Sequence, residues 1–169
     1  MPNLSMFNAW PHARDLFIAY ALAFFIGWDR EKEDRSAGLR TFPLVAVASC
    51  GFWQAMEGLM DSAEGRGALV QGIITGIGFI GGGAILQRGD SVKGTATAAS
   101  LWSTGAIGVA VGAGAYDVAI VVAAATIGTL VVIGRLKKEQ GPGQHDAPAD
   151  DPPRPPDEQM QKKLADRAG

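Results

Sequence analysis

The sequence predicts an all-α integral membrane protein, a bundle of about five transmembrane helices followed by a disordered polar tail. Three observations predict it. The 169 residues are 47% apolar and only 19% charged. The charges are bunched, between apolar runs and after Gly134, instead of being spread over helix faces. Most of the 23 glycines lie inside the apolar runs, which is costly in a soluble helix but frequent in membrane helices, where small residues let backbones approach. A formal net charge of -2 gives no electrostatic reason to expect nucleic acid as a partner.

Crossing about 30 Å of hydrocarbon takes roughly 20 residues, and five stretches qualify. The first, about Pro11 to Trp28, opens with a proline suited to a first helical turn and has Trp10 and Trp28 as interfacial anchors; Arg14 and Asp15 shorten its clean apolar part. The charged run DREKEDR follows with no small-residue cleavage site before it, so an uncleaved anchor is expected in place of a signal peptide. The second, about Thr41 to Met60, has Thr41 as a cap and Pro43 in its first turn. The third, about Ala68 to Leu86, is spaced with glycine. The fourth, about Thr95 to Ala115, and the fifth, about Val118 to Ile133, are separated only by Tyr116 and Asp117, which predicts an antiparallel helical hairpin.

Basic residues set the orientation. Arg30, Lys32, Arg35, Arg40, Arg88, Lys93, Arg135, Lys137 and Lys138 fall on one side of the five spans, and only Arg14 and Arg66 on the other. The positive-inside rule then places the N-terminus outside and the C-terminus in the cytoplasm. Residues 1–134 form the membrane domain in this reading. Residues 135–169 form a cytoplasmic tail whose GPGQHDAPADDPPRPPDEQ segment has no apolar periodicity with which to bury a core.

Several chemistries are excluded. Gly76, Gly78 and Gly81 match the spacing G-x-G-x-x-G, but they lie inside an apolar span with no carboxylate about 20 positions on, so the strand-to-helix turn that holds a dinucleotide is missing. There is no phosphate-binding loop ending in Gly-Lys-Ser/Thr. A single Cys50 with His12 and His145 makes neither an internal disulfide nor a zinc pattern. No nucleophile–base pair is legible, so a non-enzymatic protein without cofactor is expected.

The glycines read first as packing residues. Gly72 and Gly76, Gly78 and Gly82, and Gly108 and Gly112 are each four apart and so share a helix face, with Gly105 preceding the last pair. The competing reading is a glycine-lined route or an unwound break near Gly81, Gly82 and Gly83. The connector GWDREKEDRSAGLRTFPL balances Asp29, Glu31, Glu33 and Asp34 against Arg30, Lys32, Arg35 and Arg40. A simple topology anchor needs no such balance, which marks Arg30, Glu31, Arg35, Gly38, Arg40 and Thr41 as a functional cytoplasmic cluster, joined by Lys93, Thr95, Thr97 and Ser100 after the third span. Glu57, Asp61 and Glu64, at i, i+4 and i+7, offer oxygen ligands for a weak external cation site; a solvated helix end is the favoured reading of the same residues.

Three ordered blocks, DREKEDRSAGLRT, GIGFIGGGAIL and KGTATAASLWSTGAIGVAVGAGAY, resemble the membrane domain of the MgtC/SapB family over about Ile26 to Gly134. The family's R-E and A-G-L-R-T block maps onto Arg30, Glu31, Ala37, Gly38, Leu39, Arg40 and Thr41. Its G-L-T-T-A-A-S-x-W block maps onto Gly94 to Ser100 and Trp102, with Thr95-Ala96 in place of leucine-threonine. Longer members carry a folded regulatory domain where this sequence has its Pro-rich tail. The resemblance implies a small inner-membrane protein of magnesium homeostasis, tied to low-magnesium adaptation and, in pathogens, to survival inside host cells. It implies neither an ATPase nor a pump, since no phosphorylatable D-K-T-G motif occurs. The expected function is modulation of ion homeostasis or of a membrane complex; the alternative is a small cation transporter or channel through the glycine-rich helices. The expected partners are the lipid bilayer and, through helix contacts, a second copy or another membrane protein, with no nucleic acid and no nucleotide.

Overall fold

The structure, a computed structural model, describes residues 9–33, 37–57, 62–88 and 91–139. The chain divides into two compact units, Met1–Lys137 and Lys138–Gly169. Of the second only residues 138 and 139 are among those described; the last helix continues through residues 135–139, which the sequence assigns to the tail, and the rest of the tail lies outside the described residues, as does Arg35.

The described residues form five α-helices: α1 (Ala9–Lys32), α2 (Thr41–Glu57), α3 (Ala63–Gly83), α4 (Thr95–Gly112) and α5 (Tyr116–Glu139), the last ending two residues past the first unit. Pro11 and Pro43 stand in first turns, where a missing N–H costs no helical bond. Ser62 caps α3 by accepting the Gly65 N–H at 3.0 Å. Between α3 and α4 the sequence predicts only a connector; the structure has a short antiparallel hairpin, β1 (Leu86–Arg88) against β2 (Ser91–Lys93), with Leu86 opposite Lys93. The hairpin returns to the bundle through Gly94 at φ +93, and any side chain there would collide with the Ala84 carbonyl.

Helices α1 to α4 form the packed body. Helix α4 lies against α1, α2 and α3, and α1 packs along α2. Leu16 faces Gly51 and Phe42 faces Gly27, so α1 and α2 are antiparallel. Helix α3 runs antiparallel to α4, with Gly81 on Ala98 and Gly78 near the Trp102 indole. Helices α2 and α4 run in the same direction, because Gly108 meets Ala46 and Ser49 while Gly112 meets Cys50 and Trp53. The core between them consists of fully buried Ile26, Phe42, Leu101, Ile107 and Val111. Helix α5 approaches the others less closely; it joins the core through buried Ala119 and Ala123 and through the Tyr116 ring at its start. The turn between the fourth and fifth helices falls at residues 113–115, with Gly114 at φ +76, instead of at Tyr116 and Asp117.

The glycines divide sharply. A methyl on Gly108 would lie 2.8 Å from the Ser49 Cβ and against the Ala46 carbonyl oxygen; one on Gly112 would lie 2.9 Å from the Trp53 Cβ and 3.0 Å from the Cys50 carbonyl oxygen. One on Gly105 would strike the Ile77 side chain. Gly72, Gly76, Gly82 and Gly83 have nothing within 4 Å of that position. The pair spacing thus coincides with helix contact on α4, whereas on α3 only Gly78 and Gly81 turn toward a neighbour. Gly108→Leu must push two backbones apart and is expected to destabilise the protein by about 3 kcal/mol or more. Gly76→Ala is expected to be neutral or stabilising by up to about 1 kcal/mol, through helix propensity. Thermal melting of the purified variants in detergent checks both.

Candidate functional site

Polar side chains concentrate at the two ends of the bundle. At the end where α1 finishes and α2 begins, the sequence block around Arg30 to Thr41 folds into a defined joint. The Gly38 carbonyl accepts the N–H groups of Thr41 at 3.0 Å and Phe42 at 3.2 Å, starting α2. The Leu39 N–H points back to α1, where the Glu31 carboxylate accepts it at 3.0 Å. Glu31 therefore satisfies a donor at the start of the next helix, as an N-cap residue would from within. Gly38 is required by this bond, since a Cβ there would fall on the Glu31 carboxylate. Gly27 completes the joint by letting the Gly38 carbonyl and Phe42 lie close against α1.

Arg30 is buried, with its guanidinium hydrogen-bonded to the Asp29 carboxylate. That pairing keeps a buried charge compensated. Arg40 is exposed and forms no pair with Glu31; among the described residues no carboxylate pairs with it. Thr41 is half-buried as the first residue of α2, and Lys93 and Thr95 are exposed on β2 and at the start of α4. Thr97 and Ser100 are buried in α4 beside Thr104. The Ser100 hydroxyl donates to the Thr97 carbonyl at 2.9 Å and the Thr104 hydroxyl to the Ser100 carbonyl at 2.8 Å, so both are satisfied by their own helix. The structure thus brings Glu31, Gly38 and Leu39 together, and leaves Arg40 outside that set.

The proposed cation ligands do not share one helix. Glu57 closes α2, whereas Glu64 belongs to the first turn of α3, and both are exposed; Asp61 lies outside the described residues. The i, i+4, i+7 face assumed one continuous helix. In the first turn of α3 the Glu64 charge favours the helix dipole instead of opposing it. Among the described residues no three His, Cys, Asp or Glu side chains gather as metal ligands.

The opposite end holds a cluster that sequence reasoning missed. Asp15, in the second turn of α1, is 9% exposed. Its Oδ1 accepts the Tyr116 hydroxyl at 2.8 Å and the Arg14 Nε–H at 2.9 Å, and its Oδ2 accepts the Gln54 amide at 3.2 Å. Arg14 also donates to the Tyr116 oxygen at 2.7 Å. One carboxylate thereby ties α1 to α2 and to the first residue of α5. Trp53, next to Gln54, buries its indole N–H without a partner among the described residues. The available signal was a carboxylate inside an otherwise apolar span, which in a membrane demands a partner; Arg14 and Asp15 read instead as residues that shorten it.

Among the described residues one helix, α5 with its Tyr116–Leu136 segment, is long and apolar enough to cross a membrane, which supports a small helical membrane-associated protein. The model of the MgtC family matches residues 16–139, and the chain belongs to that family. It is 38% identical over 117 residues to protein MgtC of Salmonella typhimurium, covering 69% of this chain and 48% of that protein. Protein SrpB of Synechococcus elongatus is 34% identical over 138 residues, covering 74% of each. Protein MgtC of Brucella abortus is 41% identical over 96 residues, covering 57% of this chain and 40% of that one. The chain thus spans about half the length of the MgtC proteins it matches. No solved structure matches it.

Two double-mutant experiments test the two ends. Glu31→Ala and Gly38→Ala each remove the same bond to the Leu39 N–H, at about 1 kcal/mol; combined, they are expected to cost clearly less than their sum, read from melting curves. Tyr116→Phe removes a donor from buried Asp15 and is expected to cost about 1–2 kcal/mol, a loss that shrinks in an Asp15→Asn background.

Proposed function

We propose that the protein is a five-span inner-membrane protein, N-terminus out and C-terminus in, that modulates magnesium-linked ion homeostasis or a membrane complex without catalysing a reaction. The basic residues support the orientation: Arg30, Lys32, Arg40 and Lys93 share one end of the bundle, and Arg14 and Arg66 lie at the other. The magnesium link rests on the family resemblance, including the Arg30–Thr41 block that forms the Glu31 joint.

The observation that favours modulation is the packing of α4, which closes a route along its own glycines; a route along Gly76 to Gly83 of α3 is left to the flux measurement. Its Gly105, Gly108 and Gly112 face is filled by α2 and by Ile77, and its buried hydroxyls at Ser100 and Thr104 are bonded within the helix. A route along those glycines would need the two helices to separate, and the hydroxyls would have to leave their carbonyls before offering oxygen to an ion. A protein packed in this way acts through what it contacts at its surface.

Reporter fusions after Gln140 are expected to read cytoplasmic and fusions within residues 61–67 external. The same side for both would remove the five-span arrangement. In proteoliposomes loaded with a magnesium-sensitive dye, the purified protein is expected to give no flux above protein-free vesicles. Protein-dependent flux that Gly76→Leu abolishes at an unchanged melting temperature would instead establish the transporter.

A further inference from the structure

A cavity of about 700 Å³ opens sideways between α2 and α3 and has no part in the reading above. It runs from Arg40 and Thr41 at one end to Phe52 and Leu69 at the other, with Ile80 of α3 near the Arg40 end, since the two helices are antiparallel neighbours. Apart from Arg40, Thr41 and Ser49, every lining residue is apolar or glycine. Its floor is open because Gly72 and Gly76 carry no side chain and have nothing within 4 Å where one would begin.

Length and charge together identify the occupant. The eleven residue steps from Thr41 to Phe52, and from Leu69 to Ile80, each rise about 16 Å. That is close to half of a hydrocarbon core of about 30 Å. A transmembrane helix from a partner crosses both leaflets, so such a groove would seat only half of it; an acyl chain of one leaflet is the right length. At the groove's polar mouth stands Arg40, exposed and paired with no carboxylate among the described residues, with the Thr41 hydroxyl beside it. A guanidinium closing an apolar groove one leaflet deep matches an amphiphile with an anionic phosphate head.

We propose that the groove between α2 and α3 is a binding site for an anionic glycerophospholipid, with one acyl chain over Gly72 and Gly76 and the phosphate on the Arg40 guanidinium. The site rests on the membrane placement proposed above but not on what the protein modulates. Lipid selectivity is measured in detergent, so it fails or succeeds separately from the reporter topology.

The test is native mass spectrometry of the full chain in mild detergent, titrated with dioleoyl phosphatidylglycerol and, separately, with dioleoyl phosphatidylcholine. The wild type is expected to retain phosphatidylglycerol about fivefold better, the ratio contributed by one interfacial cation. Arg40→Gln is expected to bring the two lipids level. Gly76→Leu is expected to abolish retention of both at an unchanged melting temperature; Ile80→Trp, at a wall residue 46% exposed, is the second blocking variant should Gly76→Leu misfold. Glycerol phosphate, which has the head but no chain, is expected not to compete. Equal retention of the two lipids by the wild type, a preference that survives Arg40→Gln, or binding that survives both blocking variants would overturn the proposal. Full competition by glycerol phosphate would reduce the site to a phosphate contact and overturn the groove's role. A dimer in which cysteines placed at Gly72 cross-link would show a second copy in the groove and overturn it as well.

Discussion

The close approach of α4 to α2 is the constraint on which the rest of the structure depends. With Gly108 against the Ala46 carbonyl and Gly112 against the Cys50 carbonyl, the two backbones sit at a separation that no side chain on α4 would permit. In the five-span arrangement proposed above, where lipid is as apolar as leucine, helices gain little from burying apolar surface against each other and associate through such van der Waals contact. The same contact fixes the direction of both helices, and with it the position of everything attached to their ends. Because α2 and α4 run in parallel, the chain must return on α3, and the start of α2 and the start of α4 come to the same end of the bundle.

That arrangement explains why polar chemistry divides between two ends. The joint of Glu31, Gly38 and Leu39 sits where α1 hands over to α2, and it works only because Gly27 and Gly38 let the turn press onto α1. At the other end, α1 begins, α2 finishes and α5 starts, so Asp15, Gln54 and Tyr116 meet although about 100 residues separate the first from the last. Helix α5 has little backbone contact with the others, and the Tyr116 hydroxyl is a specific point at which it is held. A carboxylate with three donors is a suitable fastener in such a place, since a buried charge left without them would be costly.

The sequence showed the helices readily and their partners unevenly. Long apolar runs, first-turn prolines and bunched charges locate α1 to α5 with ends displaced by at most about six residues, because each is a local property. The spacing of Gly108 and Gly112 pointed to a contact that exists, while the identical spacing of Gly72 and Gly76 lies over open space. Spacing states that two glycines share a face; only the packing decides whether that face meets a helix. The block around Arg30 to Thr41 was legible as special through its charge balance, yet its central bond joins a side chain to a backbone N–H, and a list of charges contains no backbone groups. Asp15 was hidden for a related reason: its partners lie on two other helices, and its neighbour Arg14 supplied a sufficient local explanation.

The unevenness of α3 has a physical meaning of its own. One part of the helix, from Ile77 to Gly81, is committed to α4. The side with Gly72 and Gly76 is left bare, although glycine in an exposed helix costs about 1 kcal/mol relative to alanine and nothing in the described packing requires it there. Alanine at both positions would strengthen the helix and clash with nothing in the fold. Glycine lowers the floor between α2 and α3, and a lower floor matters only to something lying on it. The residues that pack α4 answer to the fold, whereas the bare glycines of α3 answer to the groove, and through it to the lipid proposed above.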